Sequence, residues 1–287
     1  MADENIIAKI QEKMKKCSKG QRAIGEFIIE QYDKAAFMTA ARLAKIVGIS
    51  ESTVVRFASE LGYDGYPGFQ KALQEIVRVK ITGYQRMEIA IDKIGHDDVL
   101  SNVLHADMER IKQTSENINI KDFNLAVDMI LSAPHVYVLG FGSSSVLTDF
   151  LASYLTMFSD NLKVLTTFDI SGIFQQLLKL KPGDVVIGMS FPRYSKRIIQ
   201  AMHFAKDNGA KVITLTDSQT SPVTQYADIS LVACSDMTSF VDSLVAPLSV
   251  INALVVAIAM RKKDEVYGTL EKLEKIWDEY EVYEKYE

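Results

Sequence analysis

The sequence is poor in the residues that build disulfide frameworks and metal centres. Among 287 residues it has two cysteines, Cys17 and Cys234, and four histidines. The cysteines have neither metal-site nor redox spacing, which excludes a disulfide-stapled secreted domain and favours a reducing cytosol. The histidines form no sequence cluster, so we expect no metal, no catalytic triad and no cofactor. They are His96, His105, His135 and His203.

A long uninterrupted apolar run is also absent. The longest one, Leu244 to Met260, is interrupted by Pro247, Ser249 and Asn252. It is shorter than the roughly 18 residues of a membrane span, so we interpret it as a buried helix. The N-terminal MADENIIAKIQEKMKK has no apolar stretch flanked by small residues, and no signal peptide is expected there. We therefore expect a cytoplasmic protein with no membrane partner.

Charge is distributed unevenly along the chain, whose net charge is −5. Residues 1–82 carry 13 Lys and Arg against 10 Asp and Glu, and residues 83–287 carry 19 against 27. The chain is long enough for two domains of roughly 100–200 residues each. The change from a positive to a negative balance predicts that only the first of them approaches a polyanion.

The N-terminal segment has the spacing of two helices joined at a glycine. Ala44, Gly48 and Val54 match a helix-turn-helix, in which the small residue lets the helices approach and the glycine makes the corner. We expect Thr39 and Ser50 to cap the two helices. The residues predicted to face inward are Leu43, Ile46 and Val47 on the first helix and Val54, Phe57 and Leu61 on the second.

A second helix fixed across such a corner presents its N-terminal residues to a major groove. Its projecting side chains are Ser52, Thr53 and Arg56, with Glu51 and Ser59 nearby. Arg56 can bond a guanine or grip a phosphate, and the hydroxyls can bond bases or phosphates. The alternative is an ordinary helical hairpin with polar residues facing water, because glycine-turned helix pairs are common.

After residue 121 the chain alternates short apolar runs with amphipathic helices. Strands are predicted over HVYVLG, LKVLTTF, DVVIGMS, KVITLTD and ISLVAC. This alternation predicts a doubly wound parallel sheet covered by helices on both faces. Ligands of such sheets bind beyond the carboxyl ends of the strands.

Three of those strand ends carry polar residues. In GFGSSS, Ser143 and Ser144 lie where a helix begins, which has the form of an anion cradle or of a plain strand-to-helix turn. In MSFPRYSKR, Ser190 and Ser195 can donate to phosphate oxygens and Arg193 supplies charge, unless Arg193 is solvated and Ser195 only caps a helix. The third end, TLTDSQTSP, is interpreted as a site wall or a turn and contains Thr216, Asp217 and Ser218.

The stretch from CSKGQRAIGEFIIEQ through MTAARLAKIVGISESTVVRFASELGYDGYPGFQKAL closely resembles the N-terminal domain of RpiR-type (MurR/RpiR) bacterial transcriptional regulators. The glycine-rich first turn, the serine loops and the strand order, from about residue 122 to 260, resemble the SIS (sugar isomerase) domain, a phosphosugar-binding fold. The resemblance implies an all-α helix-turn-helix domain followed by an α/β doubly wound parallel-sheet (SIS, flavodoxin-like) domain. It also implies DNA binding in a dimer through Ser52, Thr53 and Arg56.

The family resemblance further implies a sugar phosphate bound on Ser143, Ser144, Ser190 and Ser195. Many SIS domains carry S-x-S-G-x-T where this chain reads SFPRYS from Ser190 to Ser195. Pro192 replaces the second serine and Arg193 the glycine. A similar F-P-R-Y-S loop occurs in a subset of RpiR-like regulators. We therefore expect phosphate binding to be kept, with Arg193 as the substitute.

We predict a transcriptional regulator of sugar metabolism that binds double-stranded operator DNA and senses a phosphosugar. Its expected parts are a DNA-binding domain over 1–80, a connection over 81–121, a SIS domain over 122–262 and a helical tail over 263–287. An apolar stripe on the tail packs against its own domain or against a partner in a homodimer or tetramer.

Two alternatives belong to other functional classes: a sugar-phosphate isomerase with a helical extension, and an adaptor whose helices bind protein. Isomerisation needs a positioned base. The segment after the last strand, SDMTSFVDSLVAPL, has aspartates but no glutamate, so no enzyme activity is expected.

Overall fold

The computed structural model of the chain describes residues 3–80, 82, 84–87, 98–157, 159–167, 169–235 and 241–284. Contacts divide the chain into two compact units, Met1–Val99 with Met237–Val241 and Leu100–Asp236 with Asp242–Glu287. In the connection expected over 81–121, residues 81, 83 and 88–97 lie outside the described residues, and Val99–Asn117 forms a helix. The aspartate at 236, which belongs to the segment considered for a catalytic base, also lies outside them.

The first unit is helical, as expected for an all-α domain. Its second helix begins with a capping box, in which the Ser18 side chain accepts from the backbone of Gln21 and the Gln21 side chain accepts from the backbone of Ser18. Ile24, Phe57 and Phe69 are fully buried members of one apolar core. The helices are α1 (Asp3–Met14), α2 (Lys19–Glu30), α3 (Tyr32–Ala35), α4 (Ala40–Val47), α5 (Glu51–Glu60) and α6 (Gly65–Lys80).

The corner between α4 and α5 is built as the spacing predicts. The Thr39 hydroxyl caps α4 by accepting from the backbone N–H of Arg42 at 3.2 Å. Gly48 has φ 77° and its N–H bonds to the carbonyl of Ala44, which is a left-handed helix end that favours glycine. Ala44 and Val54 are buried at the contact between the helices, so a small and an apolar residue hold the corner.

Two local expectations at this corner are wrong. Ser50 occupies the N-cap position of α5 but makes no side-chain cap hydrogen bond. Its hydroxyl oxygen lies instead 3.0 Å from Ser52 Oγ and 2.8 Å from Thr53 Oγ1. Ile46 is 49% exposed, because a helix turns about 100° per residue and carries it away from the face of Val47.

Helix α6 braces the chain just before α4. The buried Tyr66 hydroxyl and the Gln70 amide both donate to the carbonyl of Met38 at 2.8 Å. The Gln74 amide donates to the carbonyl of Ala36 at 3.0 Å. Burial raises the pKa of Tyr66 to about 12, so its hydroxyl stays a donor at neutral pH. These bonds satisfy loop carbonyls that would otherwise cost free energy when buried.

The second unit is a parallel sheet with helices on both faces, as expected. The strand order β2-β1-β3-β4-β5 is the flavodoxin-like order. Its strands are β1 (Val136–Gly140), β2 (Leu162–Val164), β3 (Val185–Met189), β4 (Lys211–Thr216) and β5 (Ile229–Val232). Its helices are α7 (Val99–Asn117), α8 (Ile120–Ser132), α9 (Ser145–Leu155), α10 (Ile170–Leu177), α11 (Lys196–Asp207), α12 (Val245–Arg261) and α13 (Lys263–Glu279).

Alternate residues of β1, β3 and β4 enter two separate apolar cores. Val138 and Ile187 pack in the core that holds α8, α9 and α12, whereas Tyr137 and Val186 pack in the core that holds α10 and α11. This division is the period of two expected of a strand covered on both faces.

The apolar run read as a buried helix is confirmed as α12, in which residues such as Ile251 and Leu254 are buried. The tail forms α13, but it has no buried residue, and Ile276 and Tyr280 are 49% and 72% exposed. Leu273 and Trp277 of the same stripe are half-buried, so its packing against its own domain or against a partner stays a prediction. Within the described ranges, no single helix is long and apolar enough to cross a membrane. The pair α12 and α13 reaches that length and hydropathy only when the two helices are taken together, and the chain bends by 100° between them.

Replacing Gly140 with alanine should destabilise the second unit by about 1–3 kcal/mol. The added Cβ would lie 2.6 Å from both the Ser144 carbonyl oxygen and Thr148 Oγ1, so a backbone segment must shift. Gly268→Ala is the control, because nothing lies within 4 Å there and alanine favours the helix by about 0.5–1 kcal/mol. Urea unfolding followed by circular dichroism measures both; equal stability of the two variants would contradict the close packing.

Candidate functional site

The parallel register brings three loops together at the carboxyl edge of the sheet. Gly140 on β1 pairs with Met189 on β3, and Met189 pairs with Leu215 on β4. The loops that follow therefore start side by side, with Ser190 and Thr216 level with one another. This edge is where ligands of doubly wound sheets bind.

The loop after β1 turns sharply into α9. Gly142 has φ 63° and open space where a Cβ would be, and it begins a short 3-10 turn that ends at Ser144. Ser143 is exposed, whereas Ser144 is 5% exposed and its carbonyl accepts from Thr148. Ser145 donates its hydroxyl hydrogen back to the Gly142 carbonyl at 2.9 Å. The exposed Ser143 hydroxyl thus lies at the start of an 11-residue helix, where the dipole favours an anion.

The loop after β3 is closed on itself by Ser190. Its backbone N–H donates to the Leu215 carbonyl at 3.1 Å, and its hydroxyl oxygen accepts from the backbone N–H of Ser195 at 3.1 Å. Ser195 holds the N-cap position of α11 but makes no side-chain cap bond. The expectation that the Ser195 hydroxyl caps α11 is therefore wrong, since its backbone is what closes the loop.

Between those two serines only one side chain of the loop is exposed. Phe191 and Pro192 are buried, Arg193 is exposed, and Tyr194 is half-buried. The Tyr194 hydroxyl donates to Asp217 Oδ1 at 3.0 Å, across to the loop after β4. The guanidinium of Arg193 is thus presented on a loop fixed on both sides.

The loop after β4 contributes a buried polar cluster. Asp217 is 8% exposed, and Thr216 and Ser221 are buried beside it. Thr216 donates its hydroxyl hydrogen to the Ser190 carbonyl at 2.8 Å, and its oxygen lies 2.9 Å from Ser221 Oγ. This cluster ties the ends of β3 and β4 together. Whether Thr216 and Asp217 form a site wall or only a turn stays a prediction, and the contact through Tyr194 was not foreseen from the sequence.

The loops that follow the neighbouring strands β1 and β3, at this one edge of the sheet, contain all five predicted effector-site residues: Ser143, Ser144, Ser190, Arg193 and Ser195. Ser190 and Ser144 are buried, so their hydroxyls face protein more than solvent. The role of all five residues in binding an effector stays a prediction.

The first unit presents the second candidate surface on α5. Ser52 is exposed, Thr53 is half-buried, and the Arg56 side chain is 65% exposed. The hydroxyls of Ser52 and Thr53 are both bonded to that of Ser50, which joins the three into one cluster at the helix start. These are polar groups on the outer face of a helix whose other face is packed on α4.

Sequence reasoning missed Val55, which is 39% exposed on the same outer face. It lies between the inward-facing Val54 and the outward-facing Arg56, and its separation from Ser52 by three residues is the helical spacing that could have identified it. An apolar side chain at such a position can contact a thymine methyl group in a major groove.

Glu60 fixes the far end of this face. Its carboxylate lies 2.5 Å from Lys13 Nζ, accepts from the Gln21 amide at 3.0 Å, and lies 3.9 Å from Arg56 Nε. The hydrogen bond from Lys13, and after it that from Gln21, lowers the pKa of Glu60 below its usual 4.5. One carboxylate therefore joins α1, α2 and α5 beside the exposed arginine.

Glu60→Gln should destabilise the first unit at neutral pH, because the ion pairs with Lys13 and Arg56 are lost. Since the pKa of Glu60 is lowered on folding, its contribution is present above about pH 4.5 and is lost as the pH falls through the lower folded value. Thermal unfolding from pH 7 to pH 3 should show a difference from the parent that shrinks with acid. Glu51→Gln, an exposed acid on the same helix, is the control. A difference that persists undiminished at pH 3 would contradict the assignment.

Within the described ranges, no group of three or more His, Cys, Asp or Glu side chains is placed to hold a metal ion.

Two protein families match the two units. The helix-turn-helix domain of the rpiR family matches residues 4–78, and the SIS domain matches residues 129–257. Among curated relatives, an uncharacterized HTH-type transcriptional regulator of Clostridium perfringens is 25% identical over 240 residues, covering 82% of this chain and 84% of the relative. The HTH-type transcriptional regulator HexR of Escherichia coli is 24% identical over 273 residues, covering 94% of this chain and 93% of HexR.

Solved structures are similar over the same regions. The sugar isomerase domain of an RpiR transcription factor from Sphaerobacter thermophilus has a TM-score of 0.59 and 30% identity, covering 62% of this chain and 99% of that domain. The Vibrio vulnificus NanR protein, solved in complex with ManNAc-6P, has a TM-score of 0.58 and 23% identity, covering 94% of this chain and 98% of NanR. At that identity the NanR likeness shows the fold alone.

Proposed function

Because the chain belongs to the RpiR-type family of regulators, with an rpiR-family helix-turn-helix domain followed by a SIS domain, we propose that it is a transcriptional regulator controlled by a phosphosugar. The helix-turn-helix binds operator DNA, and the SIS domain binds the effector. Relatives that match most of the chain are named as transcriptional regulators, which supports this class over that of an isomerase.

The observation that carries the effector site is the set of groups at the carboxyl edge of the sheet. An exposed serine at the start of α9, a serine-closed loop and an exposed arginine lie on the neighbouring strands β1 and β3. A phosphate monoester carries up to two negative charges, which the helix N-terminus and a guanidinium both favour. The sugar ring extends from that phosphate. NanR, a protein of the same fold, was solved with a sugar 6-phosphate, which supports the chemical class.

The DNA site is the outer face of α5. Arg56 reads a base or holds a phosphate, Ser52 and Thr53 bond the backbone or base edges, and α4 packs behind them. Operators of helix-turn-helix proteins are read by two copies related by a two-fold axis, so the working form is a homodimer or a tetramer. The exposed stripe of α13 offers one surface for such a contact.

Effector and operator are coupled by a population shift. A sugar phosphate that binds one arrangement of the subunits more tightly than another changes the spacing of the two α5 helices. By linkage, the operator must change the affinity for the sugar phosphate by the same factor.

Operator binding measured with and without candidate effectors tests the proposal. A genomic fragment upstream of the protein's own gene is titrated in the presence of hexose 6-phosphates, N-acetylhexosamine 6-phosphates and pentose 5-phosphates, and native-state stabilisation by each is followed as a thermal shift. At least one should shift both the melting temperature and the operator affinity. No response to any of them would reject the effector role, and turnover of one to another sugar phosphate would indicate the isomerase.

Arg193→Ala should weaken binding of the active sugar phosphate by about 10- to 150-fold, because a hydrogen bond to a charged group contributes about 1.5–3 kcal/mol. Operator affinity in the absence of effector should not change. Lys179→Ala is the control, because it removes the same charge from an exposed residue on the loop that leads into the opposite end of β3. Isothermal titration calorimetry measures the affinities. Equal effects of the two variants would mean that only the overall charge matters.

Arg56→Ala should weaken specific operator binding by about 1–3 kcal/mol while sugar-phosphate binding is retained. If Arg56 holds a phosphate, the slope of log K against log salt falls by about one; if it reads a base, discrimination at that base pair is lost instead. Arg261→Ala removes the same charge from an exposed position in the second unit and should leave the affinity unchanged. Unaltered DNA binding by Arg56→Ala would remove α5 from the interface.

A further inference from the structure

We infer that Tyr194 and Asp217 are positioning residues that hold Arg193 at the effector's phosphate. The inference rests on the proposed function, since it concerns the site at which the sugar phosphate binds. It assigns a role to the hydrogen bond between Tyr194 and Asp217, which joins two loops and was not predicted from the sequence.

The loop from Ser190 to Ser195 is fixed at each of its ends. At the start, the Ser190 backbone bonds to Leu215, and Phe191 and Pro192 are buried. At the end, the Ser195 backbone bonds to the Ser190 hydroxyl oxygen at 3.1 Å. Without a further contact, the segment between these anchors would carry Arg193 on a short arch whose apex is exposed.

The Tyr194 hydroxyl supplies that contact. It donates to Asp217 Oδ1 at 3.0 Å, and Asp217 is 8% exposed at the end of the neighbouring strand. The residue directly after Arg193 is therefore bonded to a rigid part of the sheet. The residue directly before it, Pro192, is buried. Because both neighbours are fixed, the backbone of Arg193 loses less conformational freedom when its guanidinium binds an anion, which raises affinity without any new contact.

The carboxylate of Asp217 is suited to this role because it is itself held. Thr216 Oγ1 lies 3.3 Å from the same Oδ1 atom, and the Thr216 hydroxyl also lies 2.8 Å from the Ser190 carbonyl oxygen. Asp217, Thr216 and Tyr194 thus form one network across the ends of β3 and β4.

The exposed Arg193 gives this anchored loop a forked, permanently charged donor. The ligand class that this favours is a dianionic phosphate monoester, which can accept both arms of the fork, over a singly charged carboxylate or an uncharged sugar.

A double-mutant cycle tests whether Tyr194 acts through Arg193. Tyr194→Phe removes only the hydroxyl and should weaken binding of the active sugar phosphate, and of inorganic phosphate, by about five- to tenfold. In the Arg193→Ala background the same change should have almost no further effect, because the group it positions is gone. Calorimetry gives the sugar-phosphate affinities and phosphorus NMR those of inorganic phosphate. The matched control is Tyr154→Phe, at a 44% exposed position on α9, which should leave both affinities unchanged.

Asp217 provides a rescue experiment. Asp217→Asn keeps an oxygen that accepts from Tyr194 and should bind within about threefold of the parent, whereas Asp217→Ala should match Tyr194→Phe. The melting temperature of each variant without ligand reports any general loss of structure.

Three results would overturn the inference. Parent-like binding by Tyr194→Phe would show that the hydroxyl has no such role. Equal losses in both backgrounds would show that Tyr194 acts independently of Arg193, as a merely structural residue would. A parent that binds neither sugar phosphates nor inorganic phosphate would reject the proposed function together with this inference. Either of the first two results, obtained with a parent that does bind, would reject the inference alone.

Discussion

The parallel register of β1, β3 and β4 is the constraint on which the candidate effector site depends. Pairing of Gly140 with Met189 and of Met189 with Leu215 sends three loops out at one level of the same edge. The loops that carry Ser143, Ser190 and Arg193 start at this edge because every strand points the same way. An antiparallel neighbour would have moved one of these loops to the opposite end of the sheet.

Close packing of helices onto the strands keeps those loops short. Gly140 lets the start of α9 lie directly against β1, and Gly188 leaves room for Met202 of α11 against β3. Each turn from strand to helix is therefore tight, and the helix N-terminus stays near the strand end. This proximity keeps the exposed Ser143 beside the N-terminus of α9, where the helix dipole favours an anion.

The helix-turn-helix unit is rigid for different physical reasons. A left-handed glycine makes its corner, and α6 satisfies the carbonyls of Ala36 and Met38 that precede α4. Glu60 links three helices behind Arg56. A helix that binds in a DNA groove benefits from such packing, since its backbone need not lose further conformational freedom on binding. The proposed effector site follows the same design, with its charged group on a loop anchored at both sides.

The sequence by itself determined the element types, the fold class and the family. The apolar runs became the five strands because a sheet buried on both faces needs continuous apolar residues, and Thr39 and Gly48 act through local backbone geometry. The same local reasoning failed for Ile46 and for the Ser50 and Ser195 caps, where packing and competing hydrogen bonds decide. Only the tertiary structure could join Tyr194 to Asp217, because these residues are 23 positions apart and meet through strand order. The Glu60 cluster spans three helices for the same reason: sequence periodicity gives the face of each element, whereas contacts between elements exist only once the chain has folded.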